Sequence, residues 1–293
     1  VCDMSLPLEG VRILELSQAI AGPFAARTLG DLGAEIIKVE QPGVGDMSRR
    51  MGPHFLGGES AYYLNFNRNK RGITLDLRKP EGRQVFYRLT SVSDVVFDAF
   101  RPTVLPRMGL EYASLKEANP TIISCSLSAF GQEGPYRDRP GFDGIVQAMG
   151  GGMSVTGREG EPPVFMGFPV GDLVGGYVAA LGISSALYGR RETGEGRRLD
   201  ISLLDVQVAT LANQAMNFLT SGTAPGRMGN AHPNIVPYQT FPAADGDIIL
   251  TIGNDGQFAR FCEVAGRPEW ASDERYATNA ARVAKEVFDE RGI

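Results

Sequence analysis

The opening of the chain alternates between apolar runs and a helical segment, and this alternation limits the folds open to it. Residues 11–16 form a short apolar run, as a buried strand does, and residues 36–39 form a second one. Between them, residues 24–32 show a helical pattern that ends before Gly33, a common helix stop. Two strands joined by a helix form a β-α-β unit, whose strands are almost always parallel. The sequence therefore predicts an α/β fold with a parallel sheet.

The same alternation continues and then changes near the end of the chain. Further strands are predicted at 72–77, 94–97, 122–127 and 199–203, and further helices at 79–89, 115–119, 172–188 and 204–219. Glycine and proline then concentrate as in a linker, and the two apolar runs beyond flank Asp245-Gly246, a hairpin signal. We therefore expect a doubly wound α/β domain over 1–220, a linker over 221–237 and a smaller α+β domain over 238–293.

Charge and apolar run length exclude several classes of protein. The net charge of the 293-residue chain is −5 at pH 7, whereas duplex-binding domains usually carry a basic excess, so we expect no nucleic-acid partner. The longest uncharged apolar run, 173–188, is shorter than a membrane-spanning helix needs, and no stretch has the order of a signal peptide. We therefore expect a cytoplasmic protein without a membrane partner.

The cysteines and histidines offer little for metal or thiol chemistry. Cys2, Cys125 and Cys262 lie far apart, and His54 and His232 are the only histidines. No HExxH or similar spacing occurs, so we expect no metal site. Cys125 lies in an apolar run typical of a buried strand, which argues against a cysteine–histidine nucleophile.

The turn after the first predicted strand argues against a dinucleotide cofactor. Such folds carry G-x-G-x-x-G at this turn, so that backbone amides reach the pyrophosphate. Here the turn reads Ala21-Gly22-Pro23, and proline removes one of those amides. Glu40 does stand where a ribose-binding acid would lie, but one feature of two is weak support.

Two sets of polar residues leave alternatives open. Arg78, Arg101 and Arg107 follow predicted strands, where open α/β sheets bind ligands, so they form either an anion site or an ordinary solvated surface. Asp172 opens the predicted helix 172–188. It is either an N-cap, which satisfies free amides, or a carboxylate nucleophile. The residues alone do not decide between these interpretations.

A set of motifs spread over the chain resembles the CoA-transferase family III. The matching segments are 8–15 (LEGVRILE), 21–23 (AGP), 33–40 (GAEIIKVE), 69–71 (NKR), 131–136 (GQEGPY), 140–143 (PGFD), 192–196 (ETGEG), 229–233 (GNAHP) and 253–255 (GND). They cover essentially the whole chain, so the resemblance is specific.

The resemblance implies a fold, an assembly and a chemistry. It implies a Rossmann-like large domain, a smaller domain and an interlocked homodimer. It also implies a CoA-transferase that moves CoA from an acyl-CoA, such as succinyl-CoA, to a small carboxylic acid, with Asp172 forming covalent intermediates. CoA is then carried by the substrate, and no cofactor is bound permanently. By position, the residues expected to bind CoA are Gln41, Leu75, Arg78, Ala99, Phe100, Arg101 and Arg107.

Departures from the family pattern leave two alternatives. Ile20 replaces the glutamine found in formyl-CoA transferases, which argues against formate and oxalate as substrates. A racemase of α-methylacyl-CoA is disfavoured because Phe142 stands where a histidine is expected, and two-base proton exchange needs that imidazole. A non-catalytic CoA-binding paralogue is the other alternative, and retention of Asp172 argues against it.

The end of the chain also departs from the family pattern. The family's C-terminal segment returns from the small domain to the large one, and the chain stops before it. We therefore expect a truncated small domain. For such a fragment we also expect weak stability and impaired dimerisation, because a large apolar surface would be left uncovered.

Overall fold

Parallel strands and crossover helices make up most of the fold. The computed structural model describes residues 5–285. Its strands are β1 (Arg12–Glu15), β2 (Glu35–Glu40), β3 (Phe55–Leu56), β4 (Glu59–Ser60), β5 (Lys70–Thr74), β6 (Val95–Asp98), β7 (Ile123–Ser128), β8 (Arg198–Ser202), β9 (Tyr238–Ala243) and β10 (Gly246–Thr251). Its helices are α1 (Ala21–Asp31), α2 (Ala61–Asn67), α3 (Pro80–Thr90), α4 (Val104–Met108), α5 (Tyr112–Ala118), α6 (Asp143–Met149), α7 (Val170–Thr193), α8 (Leu203–Thr210), α9 (Asn213–Ser221), α10 (Asp255–Val264) and α11 (Asn279–Lys285).

The central sheet has the strand order of a doubly wound fold. Six strands lie side by side in the order β5-β2-β1-β6-β7-β8. Every neighbouring pair is parallel; Ile13 of β1, for example, pairs with Ile36 of β2 and with Val95 of β6. The order reverses at β1, so a crevice opens beyond the carboxyl ends of β1 and β6, where such sheets bind ligands. The expectation of an α/β fold with a large parallel sheet is confirmed.

Each face of the sheet is covered by its own apolar core. Ile13 and Phe97 pack against α1 and α7 on one face. Leu14 and Val96 point to the opposite face and pack against side chains of α3 and α5. This alternation follows from strand geometry, because successive side chains point to opposite faces of a sheet.

Helix α7 is the long crossover between β7 and β8. Its buried face carries glycines and alanines, among them Gly175, Gly176 and Ala179. A Cβ added at Gly176 would lie 2.8 Å from the carbonyl oxygen of Ala21, so α1 and α7 approach backbone to backbone. At the other end of α7, Arg190 pairs with Asp94, which immediately precedes β6 (Nη2–Oδ1, 2.6 Å).

The length of α7 corrects one expectation. The sequence predicts a 172–188 helix with an apolar run too short to span a membrane, but the helix extends over Val170–Thr193. By length and composition alone it is long and apolar enough to cross a membrane. Core helices of folded domains often pass the same test, and α7 packs against α1 and the sheet, so this is weak support for a span.

Three local features differ from the sequence prediction. Helix α1 begins at Ala21, so Pro23 lies in its first turn, where the missing N–H would have no intrahelical acceptor. The predicted helix 204–219 is divided in two at Ala212, whose φ is 48°. The segment between β2 and α2, for which the sequence predicts no strand, contains the short β3–β4 hairpin.

Contacts within the chain divide the described residues into two compact units. One unit comprises 5–152 and 165–212 and contains the parallel sheet. The other begins at Asn213, earlier than the predicted linker, and also includes 153–164. It contains the β9–β10 hairpin, in which Phe241 pairs with Ile248, and a core around Phe258 and Cys262.

Candidate active site

Asp172 stands at the carboxyl edge of the parallel sheet, in the first turn of α7. A helix that joins two parallel strands runs back along them, so its N-terminus lies at their carboxyl ends. Asp172 is the third residue of α7 and follows Pro169, which provides no side-chain cap. The start of α7 therefore places the carboxylate of Asp172 where open α/β sheets bind ligands.

The free amides at this helix start are bound by another carboxylate. Oδ1 of Asp143, the first residue of α6, accepts hydrogen bonds from the backbone N–H groups of Gly171 (2.8 Å) and Asp172 (3.2 Å). Gln147 donates to the other oxygen of Asp143 at 2.6 Å and accepts from the N–H of Met166 at 3.0 Å. Asp143 thus acts as the cap of α7, and the interpretation of Asp172 as an N-cap does not hold.

The Asp172 carboxylate is left available for chemistry. It accepts no hydrogen bond from any residue between 5 and 285. Burial, together with the nearby charge of Asp143, raises the pKa of Asp172 to about 7. A carboxylate of raised pKa is a stronger nucleophile than an ordinary aspartate once it is deprotonated.

A cavity of about 440 Å³ lies next to this helix start. Its lining comes from the β1–α1 loop, from α2, from α6 and from the segment that leads into α7: Ile20, Ala61, Tyr62, Asn65, Phe66, Asp143, Phe165, Met166, Gly167, Phe168 and Pro169. Leu173, beside Asp172, packs against the apolar cluster of Ile20, Phe24 and Phe66. Burial raises the pKa of Tyr62, which is part of the lining, and the charges of Asp172 and Asp143 raise it further. We call this space the acyl cavity.

A second and larger cavity, of about 750 Å³, has four arginines and three acidic residues in its lining. It is lined by residues that follow β6, by the segment after β7 and by side chains of β7 and β8: Asp98, Arg101, Pro102, Thr103, Leu105, Pro106, Arg107, Glu111, Tyr112, Ala113, Ser124, Ser126, Gln132, Glu133, Arg137 and Arg198. Arg101, Arg107 and Arg198 form no ion pair with a described residue, whereas Arg137 pairs with Asp138. Unpaired guanidinium groups around one cavity favour phosphate binding. We call this space the arginine cavity.

The structure brings together only part of the predicted CoA-binding set. Arg101 and Arg107 line the arginine cavity. The other five residues also follow the carboxyl ends of β2, β5 and β6 but are absent from its lining; they are Gln41, Leu75, Arg78, Ala99 and Phe100. The guanidinium of Arg78 is engaged by Asp76 at 2.9 Å. Leu75 and Phe100 pack against the core on that face of the sheet.

Several residues of these cavities are not predicted as site residues from the sequence. Arg137 and Arg198 resemble ordinary surface arginines along the chain and meet only in the folded sheet. Asp143 belongs to one of the motifs, but its contact with α7 spans 28 residues of sequence. Ser124 and Ser126 alternate along the buried strand β7, and this regular polar spacing is a signal that could have found them. Within the described part of the chain, no group of three or more His, Cys, Asp or Glu could hold a metal ion.

Comparison with known sequences places the chain in one family. The model of CoA-transferase family III matches residues 8–291. A succinate–glutarate CoA-transferase of Agrobacterium fabrum is 49% identical over 96% of this chain and 72% of its own length. A succinyl-CoA:glutarate CoA-transferase of Mus musculus is 44% identical over 96% of this chain and 65% of its own length. The chain thus spans about two thirds to three quarters of these two relatives.

Solved structures agree with this placement. A CAIB/BAIF family protein from Brucella suis has a TM-score of 0.83 and 46% identity, over 97% of this chain and 76% of that one. A protein of Mycobacterium tuberculosis has a TM-score of 0.86 and 33% identity, over 97% of this chain and 75% of that one. The resemblance inferred from the motifs is confirmed, and with it the expected class of enzyme. The chain belongs to CoA-transferase family III.

Proposed function

We propose that this chain transfers CoA from an acyl-CoA such as succinyl-CoA to a short dicarboxylic acid such as glutarate. The observation that carries the proposal is the carboxylate of Asp172: it has no hydrogen-bond donor among the described residues, lies beside the acyl cavity and has a pKa raised to about 7. The substrate class is taken from the names of the relatives from Agrobacterium fabrum and Mus musculus.

The reaction proceeds through covalent intermediates on Asp172. A carboxylate oxygen of Asp172 attacks the thioester carbonyl, the C–S bond breaks, and CoA thiolate leaves behind an acyl-aspartyl anhydride. The thiolate attacks the aspartyl carbonyl of the anhydride and releases the first acid, which leaves an aspartyl-CoA thioester. The acceptor carboxylate then attacks this thioester and expels the thiolate. Attack of the thiolate on the acceptor's carbonyl forms the new acyl-CoA and restores Asp172.

The surroundings of Asp172 suit this sequence. Asp143 already binds the amides of Gly171 and Asp172, so the reacting carboxylate is not tied to its own helix start. Burial and the charge of Asp143 disfavour the free carboxylate, so its consumption in an anhydride or a thioester relieves that cost. The environment therefore favours the covalent intermediates over the free ionised enzyme.

The two cavities divide the substrate between them in this proposal. The phosphates of CoA bind to the unpaired guanidiniums of Arg101, Arg107 and Arg198. The acyl group occupies the acyl cavity, where its methylene groups meet apolar side chains. Tyr62 and Asn65 offer neutral hydrogen-bond donors one helical turn apart on α2, and neither side chain donates to another described residue. These donors suit the remote carboxylate of a dicarboxylic acid.

The assembly is also part of the proposal. The family resemblance implies an interlocked homodimer, and α7 presents Tyr177, Leu181 and Tyr188 as exposed apolar side chains along one side. Light scattering on the purified chain measures its mass directly. A dimeric mass would support the interlocked homodimer and contradict the impaired dimerisation expected from the sequence, whereas a monomeric mass at concentrations where the chain is active would contradict the dimer.

Trapping of the thioester tests the covalent mechanism. The chain is incubated with succinyl-CoA and then treated with borohydride, which reduces an aspartyl thioester to the alcohol and converts that aspartate to homoserine. Peptide mass spectrometry should place the change at Asp172, and Asp172→Ala should abolish it. Asp205→Ala is the matched control, because Asp205 lies in the first turn of α8 and is exposed. Unmodified wild-type protein that still binds CoA would refute the transferase and favour a racemase or a CoA-binding protein.

A further inference from the structure

Four charged side chains lie buried beneath the loop between β1 and α1. Glu15 ends β1, Lys38 lies in β2, Lys70 begins β5, and Asp46 precedes the short turn of 3₁₀ helix at Met47–Arg50. Their side chains are at most 3% exposed. We call this group the buried charge cluster. Burying ion pairs costs desolvation energy, and apolar residues in their place often stabilise a fold equally well. Stability alone therefore explains the cluster poorly.

Direct ion pairs connect the four side chains into one unit. Lys38 contacts Glu15 at 3.2 Å and Asp46 at 2.9 Å, and Lys70 contacts Glu15 at 2.9 Å. Burial opposes the charge of Glu15, but attraction to Lys38 and Lys70 outweighs it and holds the pKa of Glu15 below its ordinary value. Burial likewise opposes the charge of Lys38, and attraction to Glu15 and Asp46 holds its pKa above the ordinary value. The charges of Glu15 and Lys38 are therefore stabilised by the cluster, whereas burial lowers the pKa of Lys70 to about 8.

The cluster binds the backbone on both sides of Ile20. Lys38 Nζ donates to the carbonyl oxygen of Ser17 at 2.9 Å, and Lys70 Nζ donates to that of Pro23 at 2.9 Å. Between them, Asp46 Oδ1 accepts from the N–H of Ala19 at 3.2 Å. Ala19 has a φ of 66°, a conformation that residues other than glycine rarely adopt without external support. The cluster supplies that support, and Ile20 lines the acyl cavity.

Lys70 also contacts α2, which forms another wall of the acyl cavity. Its Nζ donates to Oδ1 of Asn67 at 2.9 Å, and Asn67 is the last residue of α2. Helix α2 contributes Tyr62, Asn65 and Phe66 to the cavity lining. A single ammonium group therefore connects the first turn of α1, which follows Ile20, with the end of α2.

We propose that Lys70 is a positioning residue for the acyl-transfer step. Through Pro23 and Asn67 it fixes the two walls of the acyl cavity relative to each other, and Leu173, which packs against the apolar cluster of Ile20, Phe24 and Phe66, relates both walls to the neighbouring Asp172. Lys70 touches no reacting atom in this assignment. The inference rests on the proposed function, because it assigns the acyl group to this cavity.

The test separates positioning from binding and from stability. In Lys70→Met we expect kcat for CoA transfer to fall at least about tenfold, because small misplacements of reacting groups cost this much or more. The Kd for CoA, measured calorimetrically, should change less than about twofold, because CoA phosphates bind in the arginine cavity. Hydrogen exchange should accelerate in peptides covering 17–23 and 61–67 while peptides of β7 stay protected.

Three further variants guard against a purely structural effect. Arg12→Met removes a cation that pairs with Glu35 and donates to the carbonyl of Val92 at the amino ends of the strands, so it should lower Tm without the loss of kcat. Asn67→Ala removes the link between Lys70 and α2, together with the hydrogen bond from Asn67 to the carbonyl of Tyr63, and leaves the buried ion pairs intact, so it should lower kcat by a smaller factor. Asn119→Ala is its match at the opposite edge of the sheet, where Asn119 donates to two backbone carbonyls, and should leave kcat unchanged.

Each outcome decides the inference. An unchanged kcat in folded Lys70→Met would overturn it, and so would parallel losses of kcat and CoA affinity. If Lys70→Met shows no cooperative melting, Asn67→Ala decides, and wild-type kcat in that variant would overturn the inference. If the wild-type chain forms no covalent adduct, the proposed function fails by itself. Hydrogen exchange then still reports whether Lys70 fixes the two walls, and unchanged exchange in both peptides would refute this.

Discussion

Replacing Asp172 by asparagine should stabilise the fold, and the gain should grow with pH. The pKa of Asp172 is raised from 3.8 to about 7 in the folded chain, so folding disfavours its ionised form. Well below pH 3.8 the carboxyl is protonated in both states and the cost is absent. As pH rises from 4 to 7 the unfolded chain ionises first, so wild-type stability falls relative to Asp172→Asn. Above pH 7 the difference is constant.

The magnitude follows from the size of the pKa shift. Each pKa unit corresponds to about 1.4 kcal/mol, so the full difference is roughly 4 kcal/mol at pH 8. About 1.5 kcal/mol of it is already present at pH 5, which leaves about 2.5 kcal/mol to develop between pH 5 and pH 8. Residual contact with water reduces this value. We therefore expect the advantage of Asp172→Asn over wild type to grow by about 1–2.5 kcal/mol between these two pH values.

Urea unfolding of wild type and Asp172→Asn at pH 5 and pH 8 measures how much the difference in unfolding free energy between them grows. The titration of other groups contributes equally to both proteins and cancels. Asp205→Asn is the control, because its carboxylate is exposed in the folded chain and its replacement should give no such growth. A difference between wild type and Asp172→Asn that stays constant or shrinks with pH would refute the reasoning. It would mean that folding does not disfavour the charged form, and the argument for an activated nucleophile would fail with it.

Three further changes probe the site and its support. Asp143→Asn keeps an oxygen for the helix amides but removes a charge, so the pKa of Asp172 should fall. The acid limb of the pH–rate profile for kcat/KM should then move to lower pH, and an unmoved limb would contradict this. Arg107→Ala should weaken CoA binding about tenfold at low salt and by less at high salt in calorimetric titrations, and a salt-independent loss would argue against a phosphate contact. Gly176→Ala should cost about 1–3 kcal/mol of unfolding free energy in urea titrations, whereas Gly189→Ala, on an open face of the same helix, should cost nothing.

The sequence predicts the parallel sheet because that information is local. Each strand shows as an apolar run and each crossover as a helical pattern, so the α/β class follows from short windows. The helical break at Ala212 is hidden, because residues 204–219 are apolar on both sides of it and no glycine or proline marks the change. The membership of 153–164 in the second unit is hidden for another reason. It depends on contacts with residues far along the chain, such as the hydrogen bond between Gly157 and Gly229.

Of the residues around the reacting carboxylate, only Asp172 itself can be predicted from the sequence. Asp172 is found because it opens a predicted helix and because the family resemblance assigns the nucleophile to it. The residues that give it chemical character come from elsewhere: Asp143 from another helix, and Lys70 from a strand about one hundred residues earlier. Lys70 lies in one of the recognised motifs, but a lysine among basic neighbours suggests a solvated surface, and its burial becomes visible only in the fold.

Helix α7 also gives the site a mechanical property. With 24 residues it is about 36 Å long, and it carries Asp172 at one end and Arg190 near the other, where Arg190 is held by Asp94 and by the carbonyl of Thr121. Because the backbone of α7 packs directly against that of α1, the helix resists bending and should move as a rigid body. A shift at the Arg190 end is therefore transmitted to the nucleophile over most of the helix length. Substitutions that never approach the substrate can in this way retune the position of the reacting carboxylate.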